Sequence, residues 1–358
     1  MIIVVLFVSS PAGAQADSPA SLAALIDVLA NPGQVLSEKS GTKTVVEDIS
    51  RSYSPRVWWH RHDKYGPMDP IHFLRNSSLW FHNNFGKDTL IAAKGDIVPA
   101  ELGVVNKGSY KSRKKVLFWP IGTTVLPAAN ETVARPYSIG FIFNGSGYFL
   151  KFEERPERTP ATDISAPCFW RLGVLPGTNK VSILIADRAI LLIEYWFHSA
   201  FSKSSGIAGD HQGDWEGVSA LLEVGIDSLG KMSHKPLAFY YSAHGKGEWH
   251  CSKDLSWHDK HPEAFTALGT HAVYPHPGEV SSTFITDLTE RGWSWDTWKN
   301  LKPISLEPYY GYSGAWGDVR TFSFTSGPLA PGPGFKAMTL NSKFDLNEVI
   351  EFSSKNCF

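Results

Sequence analysis

The sequence predicts a mainly β protein, an antiparallel β-sandwich with long loops and a small N-terminal helix. Short runs rich in aromatic and β-branched residues, such as YFLKF at residues 148–152, follow turn signals such as NGSG at 144–147. The aromatic share is 13%, with 13 Trp, and such side chains favour pleated, half-buried surfaces. No alternation of strand and helix patterns suggests βαβ units. With 358 residues and a net charge of -1, the chain can bury a sizeable core and lacks the basic excess of a nucleic-acid binder.

Taken in order, residues 1–16 pair an apolar run (MIIVVLFV) with the small-residue pattern AGA and read as a secretory signal that is short at its front. The run is too short to span a bilayer, so no transmembrane segment is expected, and the chain is placed outside the cell or in the endomembrane lumen. Residues 17–50 read as a helix over 21–31 followed by a polar connector. Residues 51–340 form the β-rich region, with a proline-rich candidate boundary between two lobes near 159–176, and 341–358 form a tail. Strands are expected at 56–60, 116–119, 137–143, 148–152, 191–197, 216–224 and 236–243, with a Ser/Gly-rich loop over 199–209. The sequons at Asn76, Asn130 and Asn144 make the chain a candidate glycoprotein. Cys168, Cys251 and Cys357 permit one disulfide and leave one thiol, with the pairing open.

The chemistry concentrates in GDHQGDWEG at residues 209–217. On a helix, Asp214 and Glu216 would point about 200° apart. On a strand they share a face, Trp215 takes the other, and His211 reaches back from the preceding loop. Two carboxylates and an imidazole suit a divalent metal ion, Mg²⁺ or Ca²⁺ in preference to Zn²⁺, with water completing its shell. His60, His62 and Asp63 carry ligand atoms too, but read as solvated loop side chains. Asp210, His244 and His271 are candidate pocket-lining residues; the two histidines close the runs SAH and GTH beside small residues that allow close approach.

In order along the chain, YSPRVWWHRHDKYGPMDPIHFLRNSSLWF (53–81), EYWF (194–197), DHQGDWE (210–216), YSAHG (241–245), HPEAFTALGTHAVYP (261–275) and YYGYSGAWG (309–317) resemble the vacuolar protein sorting-associated protein 62 family. That resemblance covers roughly residues 50–335 and implies a fold, and a link to vacuolar delivery, more than a reaction. Separately, His211, Asp214, Trp215 and Glu216 are similar to the GHRHDWE heptapeptide of the necrosis- and ethylene-inducing-like toxins. There Gly213 stands in place of a histidine and Asp210 in place of a glycine. The second resemblance implies a divalent cation held by His211, Asp214 and Glu216 that engages the sugar headgroup of a membrane lipid.

Three functions follow as expectations. The first is a secreted metal-binding sandwich that binds a glycan or glycolipid headgroup, with Trp249 or Trp257 available to stack on a sugar. The second is a metal-dependent hydrolase of an ester, phosphoester or glycoside, with His244 or His271 as acid or base. The third is a non-catalytic sorting or cell-surface protein. Neither a serine elbow nor a phosphate-binding loop sharpens the choice.

Overall fold

The computed structural model describes residues 40–82, 88–102, 147–157, 165–173, 175, 182–185, 188–204, 210–226, 232–244, 246–281, 286–310, 312, 314–318 and 347–351. In chain order the elements are α1 (Ser40–Tyr53), β1 (Arg56–Trp59), α2 (Pro70–Arg75), β2 (Ser77–His82), β3 (Thr89–Ala92), α3 (Pro99–Leu102), β4 (Gly147–Phe152), β5 (Cys168–Leu172), β6 (Ser182–Ile185) and β7 (Arg188–Ser202). There follow β8 (His211–Ile226), β9 (Met232–Ala243), β10 (Lys246–Cys251), β11 (Trp257–His258), β12 (His261–Thr266), β13 (Val273–Tyr274), β14 (Gly278–Ser281), β15 (Thr286–Thr289), β16 (Trp293–Asp296), β17 (Leu301–Pro303) and β18 (Ala315–Trp316). The mainly β expectation holds.

A central sheet runs β10-β9-β8-β7-β5-β17, with β6 also paired to β7. Its long strands β7 and β8 are covered on both faces. Leu191, Ile193, Tyr195 and Phe197 join one core with Val57, Trp59, Ala264 and Trp295. On the other face, Trp196 and Ala200 join a second core with Phe73, Leu150 and Trp316. Ile190 and Leu192 join a third with Leu221, Leu237 and Trp249. Burial on both faces explains why β7 reads as a continuous apolar run instead of alternating. Each such large side chain contributes roughly 1.5–3 kcal/mol when fully buried.

The first core is closed by the sheet β11-β12-β1-β16, with β13 on β12, and the second by the sheet β18-β4-β2-β3. Most pairings are antiparallel, but β1 with β12, β5 with β17 and β4 with β18 are parallel. These partners come from distant parts of the chain, so no short hairpin forces them to be antiparallel.

Four details differ from the sequence reading. The polar connector contains helix α1, because Val46, Ile49, Ser50 and Tyr53 recur at helical spacing and are all buried. The loop read at His60, His62 and Asp63 leads into α2, which the sequence reading did not give; it starts with Pro70 and is capped by the Asp69 carboxylate on the Ile71 N–H at 2.8 Å. A strand not expected from the sequence, β5, lies within 159–176, and its Cys168 and Phe169 are fully buried. The Ser/Gly-rich loop starts later than 199, since β7 continues to Ser202.

The N-terminal segment, the helix over 21–31, the strands at 116–119 and 137–143, Asn130, Asn144 and most of the tail lie outside the described residues. Cys251 is disulfide-bonded and Cys168 is a buried free thiol; the chain's other cysteine, Cys357, lies outside the described residues. Asn76 ends α2 and gives its side-chain amide to the His72 carbonyl at 3.0 Å. Among the described residues no helix is long and apolar enough to cross a membrane.

Candidate functional site

His211 opens β8, so the stretch expected to be a loop feeding a strand is already the strand. Gly213 interrupts the ladder with φ +63°, a left-handed conformation that favours glycine. The register against β7 passes from Gln212 opposite Phe201 to Asp214 opposite Ser199. A Cβ on Gly213 would also lie 1.8 Å from the Trp316 carbonyl oxygen, so β18 approaches this point too closely for any side chain. Beyond Gly213 the expected alternation appears. Trp215 packs on His198, Phe169 and Trp316, with ring centroids 4.9, 6.0 and 5.3 Å away. Asp214 points to the opposite side of the sheet, onto His271.

His271 is the hub. It sits in the turn after β12 with φ +57° and is almost fully buried, its ring edge-on to Trp59 at 5.1 Å. Its Nδ1 lies 2.9 Å from Asp214 Oδ2, and its Nε2 lies 3.3 Å from Asp63 Oδ2, an ion-pair distance outside good hydrogen-bond geometry. Burial alone would lower its pKa, but the two carboxylates outweigh burial and raise it to about 10. His271 thus faces a carboxylate at each ring nitrogen and orients Asp214. Burial likewise pushes Asp63 up, but His271 and the Gly269 and Tyr65 N–H groups hold it below the usual carboxylate range.

Glu216 lies beside this pair on the same face of β8. It accepts a hydrogen bond from Ser242 Oγ of β9, and that oxygen accepts the Gly217 N–H at 3.1 Å. Burial and then the Asp214 charge raise its pKa well above the carboxylate range. A second cluster stands against it. Asp287 of β15, 2% exposed, accepts from His244 Nε2 at 2.6 Å, Tyr274 OH at 2.6 Å and Thr270 Oγ1 at 2.7 Å. His244 closes β9 with φ +51° and keeps 34% of its side chain exposed.

The structure thus brings together Asp214, Glu216, His244 and His271 of the expected residues. It does not bring in His211, whose Nδ1 meets its own strand's Gly213 carbonyl at 2.7 Å, with no hydrogen bond or ion pair to either carboxylate. Asp210 turns to the Lys203 ammonium at 2.5 Å and the Ser204 N–H at 2.9 Å. Trp249 is buried against Tyr240 and offers no free face to a sugar, while Trp257 is partly buried in edge-on contact with Phe239. Asp287, Tyr274, Thr270 and Ser242 were not singled out by sequence reasoning. Asp63 was read as a solvated loop side chain; it is buried.

Among the described residues no group of three or more His, Cys, Asp or Glu is arranged to hold one metal ion. Asp214 and Glu216 nevertheless each keep one carboxylate oxygen, Oδ1 and Oε1, with no described donor. Two carboxylates with water or ligand oxygens are a common donor set for Mg²⁺. The fuller set with His211 does not form. No family model matches the chain, and no curated protein and no solved structure is significantly similar to it.

Proposed function

We propose that this end of the sandwich binds a polyhydroxylated ligand, a glycan or glycolipid headgroup, through a divalent cation held by Asp214 and Glu216. The observation that carries the reading is the charge balance around Glu216. Among the described residues, Asp63, Asp214, Glu216 and Asp287 face the imidazoles of His271 and His244, an excess of two negative charges when all are ionised. Burial and the Asp214 charge raise the Glu216 pKa, so an ionised Glu216 is disfavoured there when no cation is bound. With one, two carboxylate oxygens become ligands and the excess is neutralised. A bound Mg²⁺ or Ca²⁺ supplies exchangeable coordination positions that a sugar hydroxyl or phosphate oxygen can enter.

His271 holds Asp214 in place and Ser242 holds Glu216, so the two carboxylates are presented at fixed positions. His244 stands at the exposed side of the same cluster as a hydrogen-bond partner for the ligand. The disulfide at Cys251 supports an oxidising compartment, in line with the secretory reading of residues 1–16.

Elemental analysis of the dialysed protein beside Asp214→Ala tests the cation. About one divalent ion per chain in the wild type, lost in the variant, is expected. No ion in either protein after soaking with Mg²⁺ and Ca²⁺ rejects the reading. A glycan array probed with and without the ion then tests the ligand class.

A further inference from the structure

We propose that His244 and Asp287 form a water-activating dyad that hydrolyses an ester carried by the polyhydroxylated ligand. The inference rests on the proposed function for where the ligand sits, and on a separate set of residues for its chemistry. Asp287 is almost fully buried, yet three side chains from three different segments converge on its carboxylate: His244 Nε2 at 2.6 Å, Tyr274 OH at 2.6 Å and Thr270 Oγ1 at 2.7 Å. A carboxylate held this way sets the tautomer of the imidazole it faces. With the Nε2–H donated to Asp287, the lone pair of His244 is on Nδ1, and no described group engages that atom.

The backbone favours the same role. His244 adopts φ +51°, a conformation uncommon for a non-glycine residue, at the end of β9. It presents a ring that is 34% exposed while its partner is 2% exposed. A purely structural histidine needs neither the exposed face nor a carboxylate oriented by two further hydroxyl donors. The charged and titratable groups that face the ring are Asp287 and Asp214, and Glu216 and Tyr274 stand next to Asp287. Burial pulls the His244 pKa down, but the hydrogen bond and charge of Asp287 outweigh it and raise it above the usual histidine value.

The step balances without any further reagent. His244 Nδ1 takes a proton from water as the hydroxide oxygen bonds to the ester carbonyl carbon. The tetrahedral intermediate then expels the alcohol oxygen, the C–O bond breaks, and the alkoxide takes the proton back from Nδ1. Ester and water become acid and alcohol, and the imidazole is regenerated. Asp287 does not touch the substrate; it is a positioning residue. Esters on sugar hydroxyls are the class expected, because the neighbouring carboxylates select polyols.

The test is acetate release from glucose pentaacetate and from 4-nitrophenyl acetate by the full chain, with His244→Ala, Asp287→Asn and Tyr274→Phe beside it. Loss of about 100-fold or more is expected in His244→Ala, the usual contribution of a positioned base. In Asp287→Asn the pH midpoint of kcat/KM should move down, a change that mere loosening of the fold would not cause. Thermal unfolding of each variant shows whether it folds, and Tyr274→Phe, which removes one hydroxyl, keeps the question open to decision if Asp287→Asn does not fold. Its expected effect is a smaller downward loss of rate than in His244→Ala, with ligand binding retained. Absence of acetate release from both esters, or release equal in His244→Ala and the wild type, overturns the dyad. Cation and glycan binding by that same wild type leaves the proposed function standing, so the two failures are distinguishable.

Discussion

Two buried histidines set opposite limits on the pH range in which the fold is stable. His271 is raised to about 10 by Asp63 and Asp214, so its contribution is complete below the unfolded value of about 6.5 and is lost as pH rises towards 10. His198 packs among Phe73, Trp215 and Trp316, and burial holds its pKa down to about 3. It is neutral in the fold, so its contribution is complete above about 6.5 and is lost as pH falls. Urea midpoints measured across pH should therefore peak between the two limbs. His271→Gln should remove the alkaline limb and cost about 3–5 kcal/mol near pH 6, because two buried carboxylates lose their partner. An unchanged alkaline limb in that variant would show that His271 is not the charged hub. Of these residues, the shared face of Asp214 and Glu216 was legible from alternation alone. Their partners were not, since His271 lies 57 residues from Asp214 and Asp287 lies 43 from His244, and no local period reports a contact at that distance.

At the level of elements, the site depends on the irregularity in β8. Gly213→Ala would force a side chain into a left-handed backbone and against the Trp316 carbonyl. The backbone alone costs roughly 1–2 kcal/mol, and the clash adds to it. The expected outcome is a lower urea midpoint together with weaker cation binding, because Asp214 is the next residue. A variant with wild-type stability would mean that β18 does not approach β8 as described. Helix α1 offers a second check. Ile49 is 2% exposed in the core beneath β1 and β7, and Ile49→Ala should cost about 2–5 kcal/mol in the same measurement. The sequence carried the signal for α1 in the spacing of Val46, Ile49, Ser50 and Tyr53, but a serine at one buried position masks the apolar stripe. The Ser50 hydroxyl is satisfied there by the Val46 carbonyl at 2.7 Å. The strands β4, β7, β8 and β9 were legible because they are long, aromatic or β-branched. Their stacking into three layers was not, since a run buried on both faces does not say what covers each face.

The whole molecule places an acidic cluster at one end of its central sheet, and Glu216 is the member whose carboxyl is pushed up. Its pKa is raised by burial and by Asp214, so the sign of its effect follows directly. A carboxyl raised above its unfolded value of about 4.3 favours folding only below that value and opposes it increasingly as pH rises. Glu216→Gln should therefore make the cation-free protein more stable at pH 7–8, with the gain vanishing near pH 4. The same variant should lose the stabilisation that Mg²⁺ or Ca²⁺ gives the wild type, about 2.7 kcal/mol at a hundredfold excess over Kd. Thermal unfolding in chelator and in each cation reads both effects from one pair of proteins. A gain in chelator with no cation response in either protein would mean that the acidic cluster takes up protons and not metal, and ligand binding would then have to proceed through the carboxylates and His244 alone. A cation response retained in Glu216→Gln would move the ion to Asp214 and Asp287. Only the combination of a more stable variant and a lost response agrees with a cation held by Asp214 and Glu216, because it requires the same carboxylate to be a burden when empty and a ligand when filled.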